Sequence, residues 1–221
     1  MNPPARTFPW TIAIGLLLVF LTLALLFLMA QLKSRTAARP SSPALPEIAQ
    51  VKDFTLTNQA GAAVTLADLR GRVWVADIIF TRCPGPCARM TRQMKELQAA
   101  LPPNSGVKLV SLTTDPEFDT PEVLSRYAER FEANTNQWMF LTGSKNQIAE
   151  VASGSLKLAA VEKKPEERES TDDLFIHSTI FVVVDKGGKL RGVFETGGEN
   201  VDWAKSRQDI LNAVKTLESE R

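Results

Sequence analysis

Residues 73–87 read VWVADIIFTRCPGPC, and the fold turns on the change of character within this stretch. From Val73 to Phe80 the chain is apolar except for Asp77, the pattern of a strand buried on both faces. The run then delivers the only two cysteines, Cys83 and Cys87, with Pro84, Gly85 and Pro86 between them. The prolines fix their own φ and remove two N–H donors, and the glycine permits a sharp turn, so the loop is stiffly bent. Beyond it, Met90, Met94, Leu97 and Leu101 recur at helical spacing until Pro102 and Pro103 stop the pattern. A strand therefore runs into a helix with both cysteines at the junction, and a spacing of four can put them on one side of the first turn.

Strand and helix patterns alternate on either side of this unit. Upstream, Asp53–Leu56 and Ala63–Thr65, separated by Asn58–Gly61, read as a small hairpin. Downstream, Val107–Leu112 reads as a second buried strand. Asp119-Thr120-Pro121-Glu122 opens a helix with a cap residue and a proline in the first turn, and Val123, Leu124, Tyr127 and Phe131 give it an apolar face. Trp138–Leu141 and a helix from about Ser144 repeat the alternation. The chain closes with a strand over Ile176–Val184, a Lys186-Gly187-Gly188 turn, a strand over Leu190–Phe194 and a helix over about Val201–Leu217. These elements describe an α/β, thioredoxin-like fold, a central mixed sheet flanked by helices, over residues 50–221. No internal repeat of solenoid period occurs.

The N-terminal part differs in kind. After a short tail over residues 1–9, Trp10–Ala30 is almost wholly apolar and residues 7–32 carry no charge. At ~1.5 Å rise per residue this is long enough for a hydrocarbon core of about 30 Å, so residues 10–32 are expected to form an N-terminal transmembrane helix. No small-residue cleavage site of a secretory signal is clear after Ala30, which favours an uncleaved anchor. Residues 33–49 are rich in Ser, Ala and Pro, with Pro40, Pro43 and Pro46, and read as an extended tether. Arg6 precedes the span while Lys33, Arg35 and Arg39 follow it, a count that by itself places the C-terminal domain in the cytoplasm. With 26 basic and 25 acidic side chains and no basic run interleaved with aromatics, the chain lacks the signature of nucleic-acid binding.

A strand that delivers Cys83 to a helix N-terminus sets it among unpaired N–H groups and the positive end of a dipole, with Arg82 and Arg89 nearby. On this reading both thiols ionise more readily than a free thiol of pKa about 8.5. Thiolates attack disulfides and also bind soft metals. Two thiolates around Cu(I) leave one net negative charge, and the chain's only histidine, His177, would complete a trigonal site suited to copper; a structural zinc site wants four ligands. Against this, a lone cysteine pair on a thioredoxin-like scaffold is more often a dithiol/disulfide couple, and a lone histidine is more often structural. The residues alone leave both readings open.

The segments FTRCPGPC at 80–87, TTDPEFDTPEVLSRYAERF at 113–131, WMFLTG at 138–143 and HSTIFVVVDKGGKLRGVF at 177–194 together resemble the SCO/SenC family, in consistent order over roughly residues 46–217. The resemblance implies a membrane-tethered, thioredoxin-fold copper metallochaperone that assists assembly of cytochrome c oxidase. It implies Cu(I) or Cu(II) held by Cys83, Cys87 and His177, with Asp115 of the Asp-Pro motif close by; Asp115 read without it is a turn or helix-entry residue. Implied partners are cytochrome c oxidase subunit II and a second copper chaperone as donor. The implied place is a bacterial inner membrane with the domain in the periplasm, or the mitochondrial inner membrane with the domain on the intermembrane-space side, opposite to the charge count. A thiol-disulfide reductase that keeps the oxidase cysteines reduced, with Cys83 attacking and Cys87 resolving, is the alternative. Ala88 stands where a proline often follows the second cysteine and Phe175 where many members carry tyrosine; neither removes a ligand. Residues 162–173, with nine charges, read as a solvated loop, or more sharply as a mobile recognition loop that brings His177 into place.

Overall fold

In a computed structural model of the chain, the described residues are 10–36, 44–83, 85–102, 105–158, 160–168, 175–177 and 179–220. They divide into two compact units, Met1–Pro43 and Ala44–Arg221. In the first, α1 (Trp10–Thr36) is one continuous helix that runs past residue 32 into the expected tether. It has no polar face, and Leu16, Phe20, Leu26 and Phe27 each expose more than half of their surface. Among the described residues no helix is long and apolar enough to cross a membrane. The expectation of a transmembrane helix over residues 10–32 is corrected to that extent: the helix is there, but it does not qualify as a span among the described residues.

The second unit begins with a two-residue strand, β1 (Ala49–Gln50), and a hairpin, β2 (Thr55–Asn58) and β3 (Ala63–Thr65). Asn58 organises the hairpin turn, its Oδ1 accepting from the N–H groups of Ala60 and Ala62 at 2.9 Å, while Gly61 takes a φ of 77° that a side chain would resist. The first hairpin strand thus lies later than the expected Asp53–Leu56. A single turn, α2 (Leu66–Leu69), follows, closed by a reciprocal box between Thr65 and Asp68. Next come β4 (Trp74–Ile79), α3 (Pro86–Ala100), β5 (Lys108–Thr113) and α4 (Pro121–Arg130). Thr120 caps α4 by accepting from the Val123 N–H at 3.4 Å, with Pro121 in the first turn. β6 (Trp138–Thr142) leads to α5 (Lys145–Ala149), which continues into a π-helical turn over Glu150–Ser155. The chain then forms β7 (Ala160–Glu162), a 3-10 turn at Pro165–Glu167, β8 (Phe175–His177), β9 (Ile180–Val184), β10 (Lys189–Glu195) and α6 (Trp203–Ser219), the last capped by Asp202.

Eight strands form one mixed sheet in the order β1-β10-β9-β4-β5-β6-β2-β3. The β4, β5 and β6 strands are mutually parallel, and the outer strands add antiparallel. Parallel pairing needs crossovers, and α3 and α4 supply them. Side chains of β4 alternate between two cores: Val75 and Ile79 join Met90, Met94, Leu97, Tyr127, Trp138 and Ile210 on one face, while Trp74, Ala76 and Ile78 join Leu66, Leu141, Ile148 and Val151 on the other. The continuous apolar run of 73–80 is the sequence image of this double burial.

One expected element is redrawn. The apolar pattern over Ile176–Val184 is not one strand: β8 leaves the main sheet and pairs antiparallel with β7, Ala160 facing His177, whereas β9 lies between β4 and β10 in the main sheet. β-branched and aromatic residues on both sides of the break hide it. Part of the expected loop over 162–173 is ordered as β7 and the 3-10 turn, and residues 169–174 lie outside the described residues.

Candidate metal centre

β4 ends at Ile79, and Phe80 turns the chain so that the Cys83 N–H donates to its carbonyl at 3.3 Å. Gly85 is the residue before α3, and Pro86 occupies the first helical position, where a missing N–H is harmless. Pro84 lies outside the described residues. The strand-to-helix junction therefore puts both cysteines on the α3 side of the sheet, in the same core as Val75, Met90 and Tyr127. Among the described residues no disulfide forms, and Cys83 and Cys87 stand as buried thiols.

Two donors aim at the Cys83 sulfur. The Cys87 N–H reaches it at 3.4 Å, as expected for an unpaired amide in the first turn of a helix. The Cys87 thiol also donates to it, and this bond is the largest of the influences that push the Cys87 pKa well up; burial, negative charge on Cys83 and the Asp77 carboxylate act in the same direction, and only a bond with the Phe80 backbone opposes them. The expectation that both thiols ionise easily is thus corrected. Cys87 ionises less readily than a free thiol.

Arg82 is committed elsewhere. Arg82 Nε and Nη2 donate to Asp115 Oδ2 at 3.2 and 2.5 Å, and the guanidinium lies over the exposed Phe118 ring, 4.2 Å from its centroid. Arg89 Nη2 lies 2.5 Å from where a Cβ on Gly197 would stand, so glycine makes room for it. Asp115 is buried in the β5–α4 loop, two residues past the end of β5, and meets the cysteine loop through Arg82.

Around the thiols the core carries more polar groups than its apolar lining predicts. Asp77 is fully buried on β4 with no well-formed hydrogen bond to either carboxylate oxygen, and burial pushes its pKa up to about 7; the hydroxyl of Ser111, its register partner on β5, pulls the other way. The Ser111 hydroxyl accepts from Trp138 Nε1 at 3.0 Å. Tyr127 donates to Thr91 Oγ1 at 2.8 Å and Thr91 donates to the Cys87 carbonyl at 2.8 Å, and burial raises the Tyr127 pKa. Asp119, also buried, accepts from the Thr81 N–H at 3.1 Å, from the Thr81 hydroxyl and from the Thr113 hydroxyl at 2.5 Å; burial still raises its pKa against these donors.

The structure brings Cys83 and Cys87 together. His177 ends β8 opposite Ala160, and its side chain lies outside the described residues, among which no group of three metal-binding side chains occurs. Asp77 was visible in the sequence only as the polar break in an apolar run, and Asp119 was masked by its place in an Asp-Thr-Pro helix entry whose cap is Thr120. Thr81, Thr91 and Tyr127 carried no signal beyond their element patterns.

A central mixed sheet with parallel β4, β5 and β6, helices on both faces and a cysteine pair at a strand-to-helix junction define a thioredoxin-like dithiol protein. The chain belongs to the SCO1/SenC family, whose pattern matches residues 43–212. The SCO1 protein homolog of Bacillus subtilis is 38% identical over 169 residues, 76% of this chain and 82% of that protein. The solved structure of BsSco, described as having a disulfide switch and as a member of the Sco family of cytochrome c oxidase assembly proteins, superposes with a TM-score of 0.63 at 34% identity, covering 80% of this chain and 99% of that one. Yeast Sco1 with copper bound shares the fold, with a TM-score of 0.61 at 22% identity over 76% of this chain and 89% of that one.

Proposed function

We propose that this chain is a membrane-anchored copper metallochaperone. It carries copper on Cys83, Cys87 and His177 and passes it to subunit II of cytochrome c oxidase, for the binuclear copper centre, during assembly. The observation that carries the reading is the convergence of two thiols on the first turn of α3, one sulfur accepting from the other residue's N–H at 3.4 Å, in a chain of the SCO1/SenC family. The donor set fits the cargo: two soft sulfurs select Cu(I), and a neutral imidazole adds a third ligand without charge. The helix N-terminus offsets the negative charge that two thiolates and Cu(I) share. Deprotonation of Cys87 must accompany loading, so uptake releases protons and weakens in acid. Copper on the same fold in yeast Sco1 supports the assignment.

The α1 helix is the anchor in this reading. It is apolar around its circumference and exposes Leu16, Phe20 and Phe27, surface that hydrocarbon covers better than water. The domain then faces the outer side of a bacterial inner membrane. Compartment reporters fused to the C-terminus test this: an outer-face signal is expected, and a cytoplasmic one overturns the assembly role.

A second reading, a thiol-disulfide reductase for the oxidase cysteines, is favoured by one observation. Cys87 is fully buried with its pKa pushed up, while the Cys83 sulfur accepts the Cys87 N–H, an arrangement that suits a resolving sulfur beside an attacking one, and the BsSco relative is described with a disulfide switch. Replacing the histidine separates the two. His177→Ala in the full chain is expected to weaken Cu(II) binding by about 10–100-fold while leaving the rate of exchange with a small disulfide within about twofold. Unchanged Cu(II) affinity with a reduced exchange rate would reverse the order of the readings.

A further inference from the structure

We propose that Asp119 is a positioning residue for Cys83: its buried carboxylate holds the backbone two residues ahead of the cysteine and so sets where the sulfur stands. The inference rests on the reading of Cys83 as the working thiol.

An aspartate before Thr-Pro at a helix entry ordinarily caps the helix. Here Thr120 takes that role, with its Oγ1 3.4 Å from the Val123 N–H, and the Asp119 side chain turns instead to the neighbouring loop. There it accepts the Thr81 N–H at 3.1 Å and the Thr81 hydroxyl, while the Thr113 hydroxyl at 2.5 Å ties it to the end of β5 and its own N–H, which donates to the Asp115 carbonyl at 2.8 Å, ties it to the β5–α4 loop. Asp119 is fully buried, so these bonds are shielded from water and a lost partner is not replaced. The Thr81 backbone sits between the end of β4 and Cys83, where the chain has left the sheet and has not yet entered α3. Asp115 also meets this loop, but through the guanidinium of Arg82, whose side chain is 38% exposed. That contact places a charge; Asp119 grips the main chain.

The test compares variants of the full chain in detergent, reduced and copper-free, by the alkylation rate of Cys83 read by peptide mass spectrometry, with copper affinity measured in parallel. Asp119→Ala is expected to speed alkylation by about tenfold and to weaken copper binding by about 10–100-fold. Asp119→Asn keeps an acceptor for the Thr81 N–H and should stay within about threefold of the parent. Thr113→Val removes a bond to the same carboxylate without releasing Thr81; thermal stability should fall while the Cys83 rate stays at the parent value. If Asp119→Ala does not fold, Thr81→Ala carries the test, with alkylation about threefold faster. An unchanged Cys83 rate in Asp119→Ala, or in Thr81→Ala where that variant carries the test, overturns the proposal, as does a Thr113→Val shift as large as that of Asp119→Ala. Should Cys83 respond as expected while no form binds copper, positioning stands and the copper reading falls; should the parent bind copper and Asp119→Ala match it in rate and affinity, only the positioning role falls.

Discussion

The full chain carrying Cys83→Ser and Cys87→Ser together is expected to lose Cu(I) affinity by on the order of a thousandfold or more, because two soft sulfurs become hard hydroxyl oxygens. Each sulfur is expected to matter. Cys87 is fully buried and its thiol bonds to the Cys83 sulfur, so either single variant leaves one thiol with an oxygen neighbour that Cu(I) does not favour. Burying a serine hydroxyl at position 87 costs about 1–3 kcal/mol of stability if it finds no partner, so far-UV circular dichroism has to accompany the titration. Competition against a Cu(I) chelator of known affinity gives the readout. A doubly substituted chain that is folded and competes as well as the parent would remove the cysteines from the site.

Asparagine at position 77 is expected to stabilise the domain, and to do so only above the acidic range. Asp77 is fully buried with no well-formed hydrogen bond to either oxygen, and its pKa in the folded protein is raised to about 7 from an ordinary 3.8. A carboxyl whose folded pKa lies above its unfolded one keeps its proton in the native state while the unfolded chain has already lost it. Stability therefore falls as pH rises between about 4 and 7 and is level above that, a total loss of up to about 4 kcal/mol. Asp77→Asn removes this ionisation: urea unfolding followed by fluorescence of the buried Trp74 and Trp138 should show little difference from the parent near pH 4 and a gain of about 2–4 kcal/mol at pH 8. A difference that does not change with pH would mean that Asp77 is already ionised or solvated in the folded protein. The acid lies on the thiol face of β4, where its charge raises the Cys87 pKa.

These two residues mark what the sequence discloses and what it hides. Cys83 and Cys87 could be placed at a strand-to-helix junction because a strand buried on both faces writes an unbroken apolar run and a helix writes its 3.6-residue period, and the two patterns meet at the prolines. The capped start of α4 was legible for the same local reason, since Thr120 acts on its own next turn, and the starts of α5 and α6 fell close to Ser144 and Val201 as expected. Elements with too few residues to express a period, β1 and α2, were not legible. The break between β8 and β9 was hidden because Phe175, Ile176, Ile180 and Phe181 suit a strand in either sheet, and pairing with Ala160–Glu162 is a long-range fact. The electrostatics depended on the fold most of all. Arg82 looks in sequence like a charge beside a thiol, yet the β5–α4 loop supplies Asp115 and Phe118 to engage it, and the same loop supplies Asp119 to Thr81. Carboxylates more than thirty positions away decide the surroundings of the cysteine loop, and no local pattern records them.

X-ray absorption at the copper edge of the Cu(I)-loaded full chain is the most direct test of the central claim. Two sulfur ligands and one imidazole nitrogen are expected, with the nitrogen contribution gone in His177→Ala and the sulfur contribution gone in the doubly serine-substituted chain. A first shell without sulfur, or one unchanged by either set of substitutions, would contradict the assignment of Cys83, Cys87 and His177 as the copper-carrying residues.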